Sequence, residues 1–144
     1  SSWTTGGALN SGQRYRRGAG VQTAALAVGG NGGSPSPTAE TEQYNGSNWT
    51  EVGDLNTARR NLGGAGIQTS ALGFGGSANL TVTELWNGSS WTELADLSTG
   101  REALSGSQSS PALDALAFGG GPTDSNATEE WTIPESISNL TITD

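Results

Sequence analysis

The sequence has no cysteine, no methionine and no histidine. Without cysteine no disulfide framework can form. Without cysteine and histidine, zinc and copper lose their usual ligands. The commonest general base of enzyme sites is missing as well. No apolar run approaches the roughly 18 residues that a membrane-spanning helix needs. Basic residues are scarce, with 6 Lys and Arg against 14 Asp and Glu, for a formal net charge of −8. Phosphate recognition draws on a basic face, so nucleic acid and anionic membrane surfaces are disfavoured as partners. There is no initial Met and no signal-peptide pattern, and we expect an N-terminus that has been trimmed or processed.

Apolar residues make up 32% of the chain and glycines number 23, a composition that at first reads as linker. Two features argue against disorder. Only 14% of residues are charged, and the five tryptophans fall at regular places. Short strands joined by many tight turns give the same composition and still fold.

The regularity is a repeat. Trp3 to Gly30, Trp49 to Gly76 and Trp91 to Gly120 align almost without gaps. The third copy carries a two-residue insertion near Pro111. The unit runs Trp49-Thr-Glu-Val, Asp54-Leu-Asn-Thr-Ala-Arg-Arg, Leu62 to Ile67, Ala71-Leu-Gly-Phe-Gly-Gly, then Thr83-Glu-Leu-Trp and Asn87-Gly-Ser-Ser before Trp91. Asn45-Gly46 and Asn87-Gly88 separate short runs and predict tight hairpin turns. Ala71 to Phe74 and Ala115 to Phe118 are short apolar runs bounded by glycine, suited to strands buried on both faces. The small-residue run Gly63 to Ile67 suits an innermost strand where sheets crowd together. We therefore predict four strands per unit: a over 62–68, b over 70–74, c over 81–86 and d over 91–95. Helix signals are nearly absent; 97–104 is the one stretch suited to a helical turn, and Gly100 and Gly106 interrupt it. Four short antiparallel strands at a period near 45 are the signature of a propeller blade.

These residues resemble the kelch repeat. Its pattern is an apolar strand ending in Gly-Gly, an aromatic closing the next strand, a Trp, then a Leu and an Arg in the following loop. Here it is carried by Phe74-Gly75-Gly76, Trp86, Trp91, Leu97 and Arg101, by Val28-Gly29-Gly30, Tyr44, Trp49, Leu55 and Arg59, and by Phe118-Gly119-Gly120 and Trp131. The resemblance implies an all-β, kelch-like β-propeller with three four-stranded blades per chain over 1–132, forming half or a fragment of a closed ring. The N-terminal strand at Trp3 would complete a third blade, and 133–144 would form an extended tail able to add a strand to a partner or to the ring exterior. The first copy departs from the pattern. Gln13 stands where the others have Arg59 and Arg101, and Arg16 and Arg17 stand where the second has Leu62 and Gly63. Those arginines suggest an edge blade, or one facing a wet channel or another subunit.

Three blades fall short of the four to eight usual in propellers. We expect copies of this chain, or other blades, to complete the ring, and two copies would give six blades. Function on such a scaffold sits on loops. The b–c loops vary in length, and Asn31, Ser36, Asn79, Asp124 and Asn126 are the candidate binding residues. Asp124-Ser-Asn126 offers oxygen ligands of the kind calcium wants but lacks the length and charge of a dedicated loop, and no metal site is expected. Asp54 and Asp96, with Arg59 and Arg101 nearby, are expected to make a structural ion pair or loop hydrogen bonds. Glu42, Glu84, Glu129 and Glu130 recur beside the strand-c aromatics, which marks them as blade structure and not as the paired carboxylates of glycoside hydrolysis. The tryptophans read as packing residues. Asn-x-Ser/Thr sequons at Asn45, Asn48, Asn79, Asn87, Asn126 and Asn139 matter only in a host that glycosylates.

The expectation is a non-catalytic module with no cofactor, structural and adhesive. A looser resemblance of Asn-Gly-Ser-Ser-Trp-Thr-Glu with Leu-Asn-Thr-Ala-Arg-Arg to repeat proteins predicted in bacteriophages, candidate tail or fibre components, implies a viral assembly and a virion or extracellular location. A carbohydrate-binding propeller lectin, with host-surface glycan as partner, and a glycan-acting enzyme on the same fold are the alternatives.

Overall fold

The computed structural model describes residues 1–32, 36–107, 114–123 and 125–132. Among these there is no helix, and the fold is all-β. The first sheet joins β1 (Arg17–Val21), β2 (Ala24–Gly30), β3 (Thr38–Tyr44) and β4 (Trp49–Glu51) in the order β1-β2-β3-β4. The second joins β5 (Gly63–Ile67), β6 (Ser70–Phe74), β7 (Thr83–Trp86) and β8 (Trp91–Glu93) in the same way. The third has three strands, β9 (Ser105–Gly106), β10 (Asp114–Phe118) and β11 (Thr128–Thr132), with β10 in the centre. Every pairing is antiparallel. The predicted strands of the second repeat are all present, and those bordering long loops are one or two residues shorter than the pattern suggested.

The registers of the first two sheets superimpose. Gly63 faces Phe74 and Ala71 faces Trp86, as Arg17 faces Val28 and Ala25 faces Tyr44. Strand d begins opposite the aromatic that ends strand c, Trp49 on Tyr44 and Trp91 on Trp86, with ring centroids 4.9 and 5.4 Å apart. The Asn-Gly turns form as expected, although the positive φ falls on Gly46 and Gly88 only. Each asparagine instead accepts two backbone amides with its side-chain oxygen: Asn45 from Ser47 and Asn48, Asn87 from Ser89 and Ser90.

The sheets stack face to face in chain order. Leu26 and Val28 of β2 pack with Leu55, Leu62, Ala71 and Trp91 of the junction and the second sheet. Leu72 and Phe74 of β6 pack with Leu104, Ala115 and Ala117 of the third. The Gly-Gly pairs let the chain pass close to the next repeat. Gly29 and Gly75 hold φ of +60° and +64°, and a Cβ on them would lie 2.4 and 2.5 Å from the carbonyl oxygens of Arg59 and Arg101. A side chain is excluded twice over, by the left-handed backbone and by the contact.

The N-terminal segment behaves like the linker that precedes each later sheet. Gly7 lies against Ser47 as Gly53 lies against Ser89, and Asn10 donates to the carbonyl of Trp49 as Asn56 does to that of Trp91. Residues 1–9 form no strand, and the Trp3 side chain is fully exposed. The tail 133–144 and the insertion around Pro111 lie outside the described residues.

Candidate functional site

The charged residues of the repeat converge at one place in each sheet. Glu84, on β7, is fully buried. It accepts the backbone amides of Asn56 and Thr57 at 2.7 and 3.2 Å, the Asn56 side-chain amide at 2.8 Å and Nη2 of Arg59 at 3.0 Å. Arg59 is itself completely buried, and its Nη1 donates to the carbonyls of Gly75 and Val82 at 3.0 and 2.7 Å. The carboxylate thus holds the linker arriving from the first sheet, and the guanidinium holds the turn after β6. In the third sheet Glu129 accepts from Ser98 N–H at 2.7 Å and from Arg101 at 2.8 Å, while Arg101 caps the carbonyls of Gly119 and Ala127. Of the ion pair or loop hydrogen bonds expected of Asp54 and Asp96, the loop hydrogen bonds form at Asp96, and among the described residues neither aspartate makes a salt bridge to these arginines. Asp96 accepts from Thr81 and Thr83, and the arginines reach the strand-c glutamates because those lie across the sheet from the linker.

In the first sheet the same carboxylate survives with a different cation. Glu42 accepts from Asn10 at 2.7 and 2.9 Å and from Arg16 Nη1 at 2.7 Å. Arg16 occupies the place of Leu62 and Leu104, so the guanidinium is supplied three positions later than in the other copies. Gln13, at the usual arginine place, turns instead to Glu40 and Thr38. Arg17 donates to the carbonyl of Gly64 in the second sheet at 3.1 Å. Both arginines that suggested an exposed edge are therefore engaged by their own chain.

These contacts set a pH response. Burial pushes the Glu42 carboxyl up, but the Asn10 amides and the Arg16 guanidinium outweigh it and hold it below its ordinary value. Glu129 is depressed in the same way by Ser98 and Arg101 against its burial. A carboxyl depressed in the folded state contributes stability that is complete above its unfolded value and is lost as pH falls through the folded one. Thermal midpoints are expected to be flat above about pH 5 and to fall as the pH drops below about 4. A midpoint unchanged down to about pH 3 would contradict the assignment.

The loop residues separate. Asn31 forms a backbone bridge with Arg14, and its side chain accepts from Ser36 Oγ, so these two share a site on the first sheet. Asn79 sits with φ of 54° in the short turn after β6, exposed, with its carbonyl close against Gly100. Asn126 is exposed beside β11. Asp124 lies outside the described residues. Among the described residues no three acidic side chains converge as a metal-ligand set. Glu129 borders a crevice of about 60 Å³ between Leu72, Phe74, Ala115 and Trp131. That is well below the roughly 300 Å³ at which small-molecule sites begin.

Compared with family models and with curated proteins, the sequence matches none.

Proposed function

We propose that the chain is a non-catalytic, kelch-like β-propeller module that serves structure and adhesion in a viral or secreted surface assembly. Its partners are copies of itself, with host-surface glycan as the adhesive target. The observation that carries the non-catalytic reading is the use of Glu42, Glu84 and Glu129. Each of these three acids is engaged by linker groups and an arginine, the use expected of a structural carboxylate. The aromatics support the same reading. Trp86 and Trp91 are buried and make hydrogen bonds to Gln68 and Thr41, as packing residues do. The blade reading draws its support from the three equivalent antiparallel sheets stacked face to face, and the viral reading from the sequence resemblance.

Quantitative mass spectrometry of particles or surface layers purified from the source is expected to find the chain at fixed copy number among the structural proteins. Recovery only in the free protein fraction, or hydrolysis of a glycoside by the purified chain, would overturn the proposal.

A further inference from the structure

Each junction between repeats is made by the same backbone contacts, and among the described residues those contacts stop at the two ends of the stack. Tyr15, Asn61 and Ala103 hold equivalent places, all with positive φ of 61°, 54° and 54°. The Asn61 amide donates to the Tyr15 carbonyl at 3.2 Å, and the Ala103 amide donates to the Asn61 carbonyl at 2.8 Å. Among the described residues no donor reaches the Ala103 carbonyl, and the Tyr15 amide reaches no acceptor. A second series runs from Gly30 N–H to the Arg59 carbonyl at 2.8 Å and from Gly76 N–H to the Arg101 carbonyl at 2.9 Å. Gly120 is the next donor of that series, and Gln13 is the residue equivalent to Arg59 and Arg101.

The side chains stop at the same ends. Leu72 and Phe74 are 2% and 3% exposed, whereas their equivalents Leu116 and Phe118 are 39% and 42% exposed. Phe74 lies over Gly106, where a Cβ would come within 2.6 Å of its ring. Arg17 covers Gly64, the equivalent glycine of the preceding junction, with its Cγ 2.8 Å from such a Cβ. Gly18 is the third glycine of this set, and the nearest atom to a Cβ there is the Leu26 carbonyl oxygen at 3.8 Å. A side chain of the preceding repeat thus covers this glycine at both internal junctions, Arg17 at one and Phe74 at the other, while one end of the stack presents Phe118 with no glycine beneath it and the other presents Gly18 with no side chain over it.

We infer that a second copy of this chain continues the stack head to tail. Phe118 seats over Gly18 of the partner subunit. The Ala103 carbonyl accepts from Tyr15 of the partner subunit, and Gly120 donates to Gln13 of the partner subunit. The same register brings Trp3 of the partner subunit beside Trp131, as Trp49 lies beside Tyr44 and Trp91 beside Trp86. No described strand occupies the outer edge of β11. The occupant is a like copy because the required surface is the one this chain carries at its opposite end, in continuity with its two internal junctions. A head-to-tail contact closes into a ring when its rotation permits. Two copies give six sheets, inside the range of closed propellers. The inference rests on the blade reading above.

Native mass spectrometry and light scattering of the purified chain are expected to give twice the 14.6 kDa of the single chain. Phe118→Glu and Gly18→Phe are each expected to halve that mass while keeping the circular dichroism of the parent. Phe118 is half-exposed, and a Cβ at Gly18 makes only an ordinary contact with the Leu26 carbonyl at 3.8 Å, so both changes are expected to leave the single chain folded. Mixed together, the two variants are expected to form a one-to-one pair, because Phe118 of the Gly18→Phe chain finds an intact Gly18 on the other. A mass of 14.6 kDa for the parent at all micromolar concentrations, retention of the doubled mass by either variant, or failure of the mixture to pair would overturn the inference. A single-chain mass would also remove self-association from the proposed function, but its non-catalytic and surface-assembly parts stand or fall on glycoside hydrolysis and copy number in particles, which these results do not touch.

Discussion

Arg59→Ala is expected to lower the free energy of unfolding by about 3–5 kcal/mol, the usual cost of leaving one member of a buried ion pair behind. Arg59 and Glu84 have no side-chain exposure. The substitution leaves a buried carboxylate with amide partners only, and it takes the arginine donor from the carbonyls of Gly75 and Val82, of which Val82 keeps the Gly75 amide. It also loosens the turn after β6 and the linker from the first sheet together, because the pair is where the two meet. Arg59→Lys restores a charge but not the fork that spans a carboxylate and two carbonyls, so most of the loss is expected to remain. The equivalent change at Arg16 removes a bond to the buried Glu42 and one to Glu40, which is 34% exposed and contributes little, and a somewhat smaller loss follows. Denaturant unfolding of the three variants gives the comparison. A loss below about 1 kcal/mol for Arg59→Ala would place the pair in water.

The second large effect is at Phe74. Its ring fills the space between the second and third sheets against Gly63, Leu104 and Gly106. Phe74→Ala is expected to cost about 3–5 kcal/mol, since glycines and paired backbone on either side leave the site little room to collapse. Phe118 stands at the same place of the repeat, yet its ring is half-exposed. Phe118→Ala is expected to cost little in the single chain, and to cost stability only at concentrations where copies associate. Melting both variants across a dilution series separates the two cases. Equal losses at every concentration would mean that the two phenylalanines share one environment.

That contrast also marks how far the sequence alone could be read. The period, the Asn-Gly turns and the glycine-bounded apolar strands are local signals, and they place the ends of β5 to β8 within a residue or two. Leu72-Gly-Phe74 and Leu116-Ala-Phe118 are almost the same words, and only the neighbouring sheet decides that one pair is buried and the other is not. The arginine partners were obscured for a related reason. Asp54 and Asp96 lie close to Arg59 and Arg101 along the chain, whereas Glu84 is 25 positions from Arg59 and meets it only once β6 and β7 are paired. A signal was present in the recurrence of Glu42, Glu84 and Glu129 at one place in each repeat. The first copy masked it, because its guanidinium comes from Arg16, at a position that is leucine elsewhere. Among the loop candidates, Asn31 and Ser36 meet in a side-chain hydrogen bond, while Asn79 and Asn126 belong to other repeats.

The central claim is that three like sheets stack in chain order and are joined by backbone hydrogen bonds between repeats. Nuclear magnetic resonance detection of couplings across hydrogen bonds tests it most directly. The account predicts correlations from the Ala103 amide nitrogen to the Asn61 carbonyl carbon, from Gly30 to Arg59 and from Gly76 to Arg101, all with amides slow to exchange. Free exchange of those three amides, or their correlation to carbonyls within their own repeat, would contradict it.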